Sequence, residues 1–234
     1  MLRTLFYIVT FVPWTLFIMV TGIPCSFIHA NLLHSYARFW ARISLWLAGV
    51  RMVVEGRENL PGGAVVYMPN HQSNFDILAL FAGLPGQFRW LAKEELFHIP
   101  LFGLTMRRAG YIAVDRSNRK KSVESMRRAI ERIAQGTSVV VFPEGTRSPD
   151  GHLKDFKAGS FTLAIQAQVP VVPIAITGTR DVMPKHSCWI RGGKVTVTIL
   201  PAVATAGRAV QERNELMQQV REPIAALVEK ALRS

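Results

Sequence analysis

From Thr4 to Ala37 the chain runs 34 residues without Lys, Arg, Asp or Glu, a run whose only histidines are His29 and His34. Globular domains rarely hold so long an uncharged run, whereas a helix that crosses a membrane needs about 20 predominantly apolar residues. The segment therefore reads as a membrane anchor. As one straight helix it would be about 50 Å long, against a hydrocarbon core of roughly 30 Å. Pro13 and the stretch Thr21-Gly22-Ile23-Pro24 would interrupt such a helix. Two shorter helices hinged near Gly22–Pro24 fit better than a single span, which stays open as the alternative. The second helix would continue into SYARFWARISLWLAGV, with Trp40 and Trp46 suited to the headgroup layer. A cleaved signal peptide is a poorer fit, because its apolar core is usually about 7–15 residues long. If one helix spans, Arg38, Arg42 and Arg51 against a lone Arg3 put the rest of the chain on the cytosolic side of the cytoplasmic membrane. The expected organisation is an anchor over residues 1–50 and one domain over residues 51–234.

Within that domain, strand-like and helix-like runs alternate. RMVVEG (51–56), GAVVYMP (63–69), QFRWLAK (87–93), YIAVD (111–115), VPVVPIAITG (169–178) and KVTVTILPAV (194–203) read as strands rich in β-branched residues. SVVVFP (138–143) is almost wholly apolar, as in a strand buried on both faces. Between them lie the helical runs FDILALFAGL, a broken ELFHIPLFGLTMRRAG, SFTLAIQAQ, and a closing amphipathic stretch from about Val210 to Leu232. In SVESMRRAIERIAQG, Val123, Met126, Ile130 and Ile133 form one apolar face. The pattern predicts an α/β fold, with a mostly parallel or mixed sheet flanked by helices. Ligands of such sheets gather beyond the carboxyl ends of the strands. The polar clusters after Pro69 and after Pro143 both lie there.

The formal net charge is +12, and residues 89–132 hold eleven Lys or Arg against five acids. A basic chain meets nucleic acid, anionic lipid or phosphorylated substrates. Beside an anchor, an anionic lipid surface is the simpler partner, and nucleic acid is not expected. Cys25 and Cys188 make no disulfide framework, and neither cysteines nor histidines fall at metal-ligand spacing, so no metal is expected.

In NHQSNFD (70–76), His71 precedes Asp76 by five residues. Ser73 and Asp76 have the spacing of a helix capping box, so the carboxylate reads equally as a cap. On one regular helix, positions i and i+5 lie about 140° apart. With His71 ahead of the cap, Asp76 can instead fold back beneath the imidazole. It would then accept the Nδ1 proton and leave Nε2 as a general base for a hydroxyl. No G-x-S-x-G motif is present, so the activated hydroxyl would belong to the substrate. In FPEGTRS (142–148), a turn glycine, a hydroxyl and a guanidinium suited to phosphate oxygens follow the strand.

Together, NHQSNFD and FPEGTRS resemble the first and third motifs of the glycerolipid acyltransferases. LAKEELFHIPLFG (91–103) and AGYIAVDR (109–116) resemble their second block in the 1-acyl-glycerol-3-phosphate branch, and VPVVPIAI (169–176) their fourth. The resemblance covers about residues 51–203. It implies that His71 deprotonates the 2-hydroxyl of lysophosphatidic acid, which then attacks the thioester of acyl-CoA or acyl-carrier protein, with Asp76 orienting the imidazole. It implies that Lys93 and Arg147 grip the substrate phosphate, with Arg116 a further cation. Glu144 would position the glycerol or the loop backbone, Gly145 would allow a tight turn, and Thr146 would cap or donate a hydrogen bond. No cofactor is implied. Another lysolipid acceptor, such as lyso-ornithine lipid, and a non-catalytic basic membrane-binding protein are the competing readings.

Overall fold

The structure, a computed structural model, describes residues 1–115 and 118–233. Helix α1 (Leu2–Cys25) and helix α2 (Ala30–Leu47) form an antiparallel hairpin. The turn falls at Ser26–His29 rather than at Gly22–Pro24, and α1 runs through both Pro13 and Pro24. A proline deprives only the carbonyl four residues back of its donor, and its fixed φ is itself helical. The stop comes where Ser26 Oγ turns back onto Ile23 O at 2.6 Å and His29 Nδ1 accepts from Asn31 N at 3.1 Å, capping α2. Gly22 serves packing, not hinging: a Cβ there would lie 2.8 Å from Leu33 Cδ1. Trp40 locks the pair, donating Nε1 to Thr15 Oγ1 at 2.9 Å and accepting Trp14 Nε1 at its carbonyl at 3.3 Å.

Among the described residues the sheet has seven strands, ordered β1-β7-β6-β2-β5-β3-β4. These are β1 (Val50–Glu55), β2 (Val66–Pro69), β3 (Phe88–Lys93), β4 (Ile112–Val114), β5 (Ser138–Val140), β6 (Val171–Thr177) and β7 (Gly193–Ile199). The five strands from β6 to β4 are parallel, while β7 is antiparallel to β6 and carries β1 parallel to itself. The mixed α/β sheet is the one the alternating runs predict.

Successive residues of β2 face opposite layers, as the pleat requires. Val66 and Met68 enter a core with helices α5 (Arg119–Ala134), α6 (Ala158–Ala167) and α8 (Arg213–Arg233). Tyr67 enters the other core, with α3 (Phe75–Gly83) and with Tyr7, Ala41, Leu45 and Ala48 of the hairpin region. In α8, Leu216, Val220, Ile224 and Val228 are buried at a spacing of four, one stripe of the helix. Val123 departs from expectation. It is exposed, because the buried face of α5 is the stripe Ser125, Ala129 and Ile133, and Val123 lies round the helix from that stripe. The expected broken helix is a 3₁₀ turn (Glu94–His98) followed by α4 (Phe102–Arg108).

The hairpin is half docked and half bare. Tyr7 packs on Phe75 with ring centroids 5.7 Å apart, and Trp40 meets Phe81 at 6.2 Å. On the opposite side Leu5, Val9, Val12, Leu16 and Val20 form an exposed apolar stripe along α1. Phe27 and Ile28 at the turn are also exposed. α1 is long and apolar enough to cross a membrane by length and composition.

Candidate active site

The parallel strands β2, β5 and β3 end side by side, and the site grows from their carboxyl ends. After Pro69 the backbone leaves the sheet through Asn70. Its buried carboxamide copies a strand, accepting Ile176 N at 2.7 Å and donating to Ile176 O at 2.9 Å. His71 follows on the exit path. Its ring stacks on Phe142, just beyond β5, with centroids 3.8 Å apart, and Phe142 stacks in turn on Trp90 of β3 at 5.7 Å.

His71 Nδ1 lies 2.7 Å from Asp76 Oδ2, which also accepts the backbone N–H groups of Gln72 at 2.7 Å and Ser73 at 2.8 Å. Oδ1 accepts the Thr179 hydroxyl at 2.5 Å. Helix capping and imidazole orientation, alternatives in the sequence, are carried by one carboxylate. Asp76 is fully buried and Ser73 supplies the other half of the cap, its Oγ accepting Phe75 N at 3.2 Å. An acceptor-only carboxylate fixes the proton on Nδ1. Nε2 then presents a lone pair, and it has no hydrogen-bond partner among the described residues. The His71 side chain retains 14% exposure, enough for a substrate to reach it.

Glu144 faces inward. Its Oε1 accepts His71 N at 2.6 Å and its Oε2 accepts Lys154 N at 3.0 Å, while Ser148 N donates to His71 O at 2.7 Å. Of the two roles expected for it, the structure displays the clamp on the loop backbone. Burial pushes its carboxyl up to about 7, against the downward pull of the Lys154 and His71 N–H groups. Because the folded value exceeds the ordinary 4.5, the native state holds an extra proton between the two values. Glu144 therefore opposes folding progressively as pH rises through that window. The stability of the wild type relative to Glu144→Gln is expected to fall by roughly 3 kcal/mol between pH 4.5 and 7. Thermal unfolding in detergent across that range checks it, and a pH-independent difference would contradict it.

Gly145 closes the turn with φ +73° and donates its N–H to Phe142 O at 3.1 Å. A Cβ there would lie 3.0–3.2 Å from Cε, Cδ and Nζ of Lys157, so an ammonium crosses this turn. Thr146 is exposed, and its hydroxyl makes no hydrogen bond among the described residues. Arg147 precedes the Ser148 that is bonded to His71 O, and its own carbonyl accepts Lys185 Nζ at 2.8 Å. Its guanidinium has no partner among the described residues.

Lys93 stands farther off. The register aligns Tyr67, Val140 and Trp90, so Lys93 ends β3 two strands from β2, a Cα spacing of roughly 10 Å. Its ammonium pairs with Glu95 at 2.7 Å, both exposed. Such an exposed pair is screened by solvent and contributes little to holding the ammonium in place. Arg116 lies outside the described residues. Thr179, Lys157 and Phe142 complete the surroundings of His71 and Gly145 without having been picked out as site residues. Phe142 lies inside FPEGTRS, whereas no local pattern marks the other two.

An imidazole whose Nδ1 meets a buried carboxylate, with Nε2 unpartnered among the described residues and Arg147 on the adjoining loop, can accept a proton from a hydroxyl. The acyltransferase family model matches residues 51–177, and thus spans both motif turns. The 1-acyl-sn-glycerol-3-phosphate acyltransferase alpha of Homo sapiens is 34% identical over 89% of this chain and 75% of its own. A chloroplastic 1-acyl-sn-glycerol-3-phosphate acyltransferase of Arabidopsis thaliana is 40% identical over 71% of this chain and 47% of its own. A Brassica napus counterpart is 38% identical over 73% and 51%, so the chain spans about half the length of these plastid relatives. The crystal structure of the 1-acyl-sn-glycerophosphate acyltransferase PlsC from Thermotoga maritima superposes with a TM-score of 0.85 at 30% identity, covering 98% of this chain and 94% of that one. On these matches the chain belongs to the acyltransferase family, in its 1-acyl-sn-glycerol-3-phosphate acyltransferase branch.

Proposed function

We propose that the protein moves a fatty acyl group from acyl-CoA or acyl-carrier protein to the 2-hydroxyl of 1-acyl-glycerol-3-phosphate, making phosphatidic acid. The observation that carries this reading is the 2.7 Å contact between His71 Nδ1 and Asp76 Oδ2, with Nε2 left bare beside the Arg147 loop. In the first step Nε2 takes the hydroxyl proton while the oxygen attacks the thioester carbonyl. The tetrahedral intermediate then collapses, the carbon–sulfur bond breaks, and the imidazolium returns its proton to the departing thiolate. No acyl-enzyme forms, and Asp76 offsets the transient charge on His71. Arg147 and Lys93 hold the substrate phosphate, with Arg116 as a further cation. No metal or organic cofactor is needed for these steps.

The exposed stripe of α1 and the apolar turn of the hairpin support a membrane-bound enzyme, whose lysolipid keeps its chain in the bilayer. The cytosolic face of the cytoplasmic membrane is the proposed location. Purified full-length protein, given lysophosphatidic acid with acyl-CoA or with acyl-carrier protein, should form phosphatidic acid. Lyso-ornithine lipid as acceptor serves as the comparison, and its preferential acylation would overturn the assignment. Arg147→Ala is expected to raise KM for lysophosphatidic acid about 10–100-fold, since a charge-assisted hydrogen bond contributes about 1.5–3 kcal/mol. An uncharged monoacylglycerol acceptor should be affected little. Equal losses with both acceptors would remove Arg147 from phosphate binding.

A further inference from the structure

The far side of Asp76 is held by a segment that the proposed chemistry does not use. β6 ends at Thr177, and Gly178 turns the chain with φ +85° into the short helix α7 (Thr179–Val182). A Cβ on Gly178 would fall 2.1 Å from Lys194 O, so the backbone is pressed against β7 at this point. The next residue, Thr179, is fully buried, and its hydroxyl reaches Asp76 Oδ1 at 2.5 Å. The segment continues as a strap over the site. Met183 O accepts Ser73 Oγ at 2.7 Å, Lys185 Nζ donates to Arg147 O at 2.8 Å, and Ile190 N donates to Thr4 Oγ1 of α1 at 3.0 Å.

Each Asp76 oxygen thus has its own task. Oδ2 faces the imidazole and two backbone amides, and Oδ1 faces Thr179. A carboxylate can rotate about its Cβ–Cγ bond, and such rotation would carry Oδ2 away from Nδ1. The hydroxyl on the opposite oxygen blocks that rotation from a position anchored in β6 and β7.

We infer that Thr179 is a positioning residue for the acyl transfer, acting through Asp76 to hold His71 in its proton-accepting orientation. The inference rests on the reading of His71 as general base. It does not require Thr179 to touch either substrate. A threonine that only fills space would be replaced by isosteric valine at a cost in stability alone.

The test compares full-length wild type, Thr179→Val and Thr179→Ser in detergent, with rates normalised to folded protein. Thr179→Val is expected to lower kcat about 10–100-fold, the equivalent of a charge-assisted hydrogen bond, while KM for lysophosphatidic acid stays within about twofold. Thr179→Ser keeps the hydroxyl and should restore most of kcat. Thr179→Val with wild-type kcat, or Thr179→Ser as impaired as Thr179→Val, would overturn the inference. A wild type that acylates no lysolipid would overturn the general-base reading itself, and this inference with it.

Discussion

His71→Ala is expected to lower kcat about 10²–10⁴-fold, the usual contribution of a positioned general base. KM for both substrates should change little, because the imidazole supplies no binding energy to a phosphate or a thioester in this scheme. kcat and kcat/KM should then fall together, the pattern of an interaction made in the transition state. The fold should survive. The ring stacks on Phe142, but the backbone of His71 is held independently by Glu144 Oε1 and Ser148 N. Asp76→Asn should behave differently. Its four donors, His71 Nδ1, Gln72 N, Ser73 N and Thr179 Oγ1, all need an oxygen, and an amide presents one oxygen and one NH₂. That variant should lose both activity and unfolding stability. Steady-state kinetics beside a denaturation curve separates the two cases, and a His71→Ala enzyme with near-normal turnover would remove the histidine from the chemistry.

Deleting residues 1–49 should do more than release the protein from a membrane. Tyr7, Leu33 and Leu45 are at most 4% exposed, and Ala41 and Ala48 are fully buried. Each large side chain contributes about 1.5–3 kcal/mol through burial, a sum comparable with the roughly 5–15 kcal/mol by which a domain is stable. Removing the hairpin would also bare Phe75, Phe81 and Phe88 and strip Arg89 Nη2 of its 2.5 Å bond to Asn31 Oδ1. The fragment is expected to aggregate or to melt far below the full chain, with acyl transfer lost on short-chain, water-soluble acceptors as well as long-chain ones. Circular dichroism and size exclusion would show it. A soluble, cooperatively folded fragment active on a short-chain acceptor would mean that the hairpin serves only as an anchor.

Much of the fold was legible because its signals are local. β-branched runs marked the strands, spacing of four marked α8, and a six-residue motif contained both His71 and Asp76. What escaped depends on partners distant in the chain. Thr179 lies 103 residues from the carboxylate it bonds, and its hydroxyl has no periodic or compositional mark. The reversal of β7 is set by how its residues pair with β6, and its own sequence reads like any other strand. Glu144 appeared as a motif acid with two roles open to it, and only its bonds to His71 N and Lys154 N distinguish a backbone clamp. Pro13 and Pro24 looked like breaks because breaking is the usual cost of proline, yet cross-helix packing around Trp40 keeps α1 continuous.

The order in which the chain is synthesised has a consequence. His71 and Asp76 leave the ribosome together, but Asn70 waits 106 residues for Ile176, and Thr4 waits 186 for Ile190. Until β6 emerges, one edge of β2 has no neighbour and the turn that aims the imidazole has nothing to brace it. A nascent chain stalled earlier would expose its apolar hairpin and an unpaired strand edge, the state most prone to clumping. The braced geometry around His71 therefore arrives late in translation, long after the greasiest part of the polypeptide has to find shelter.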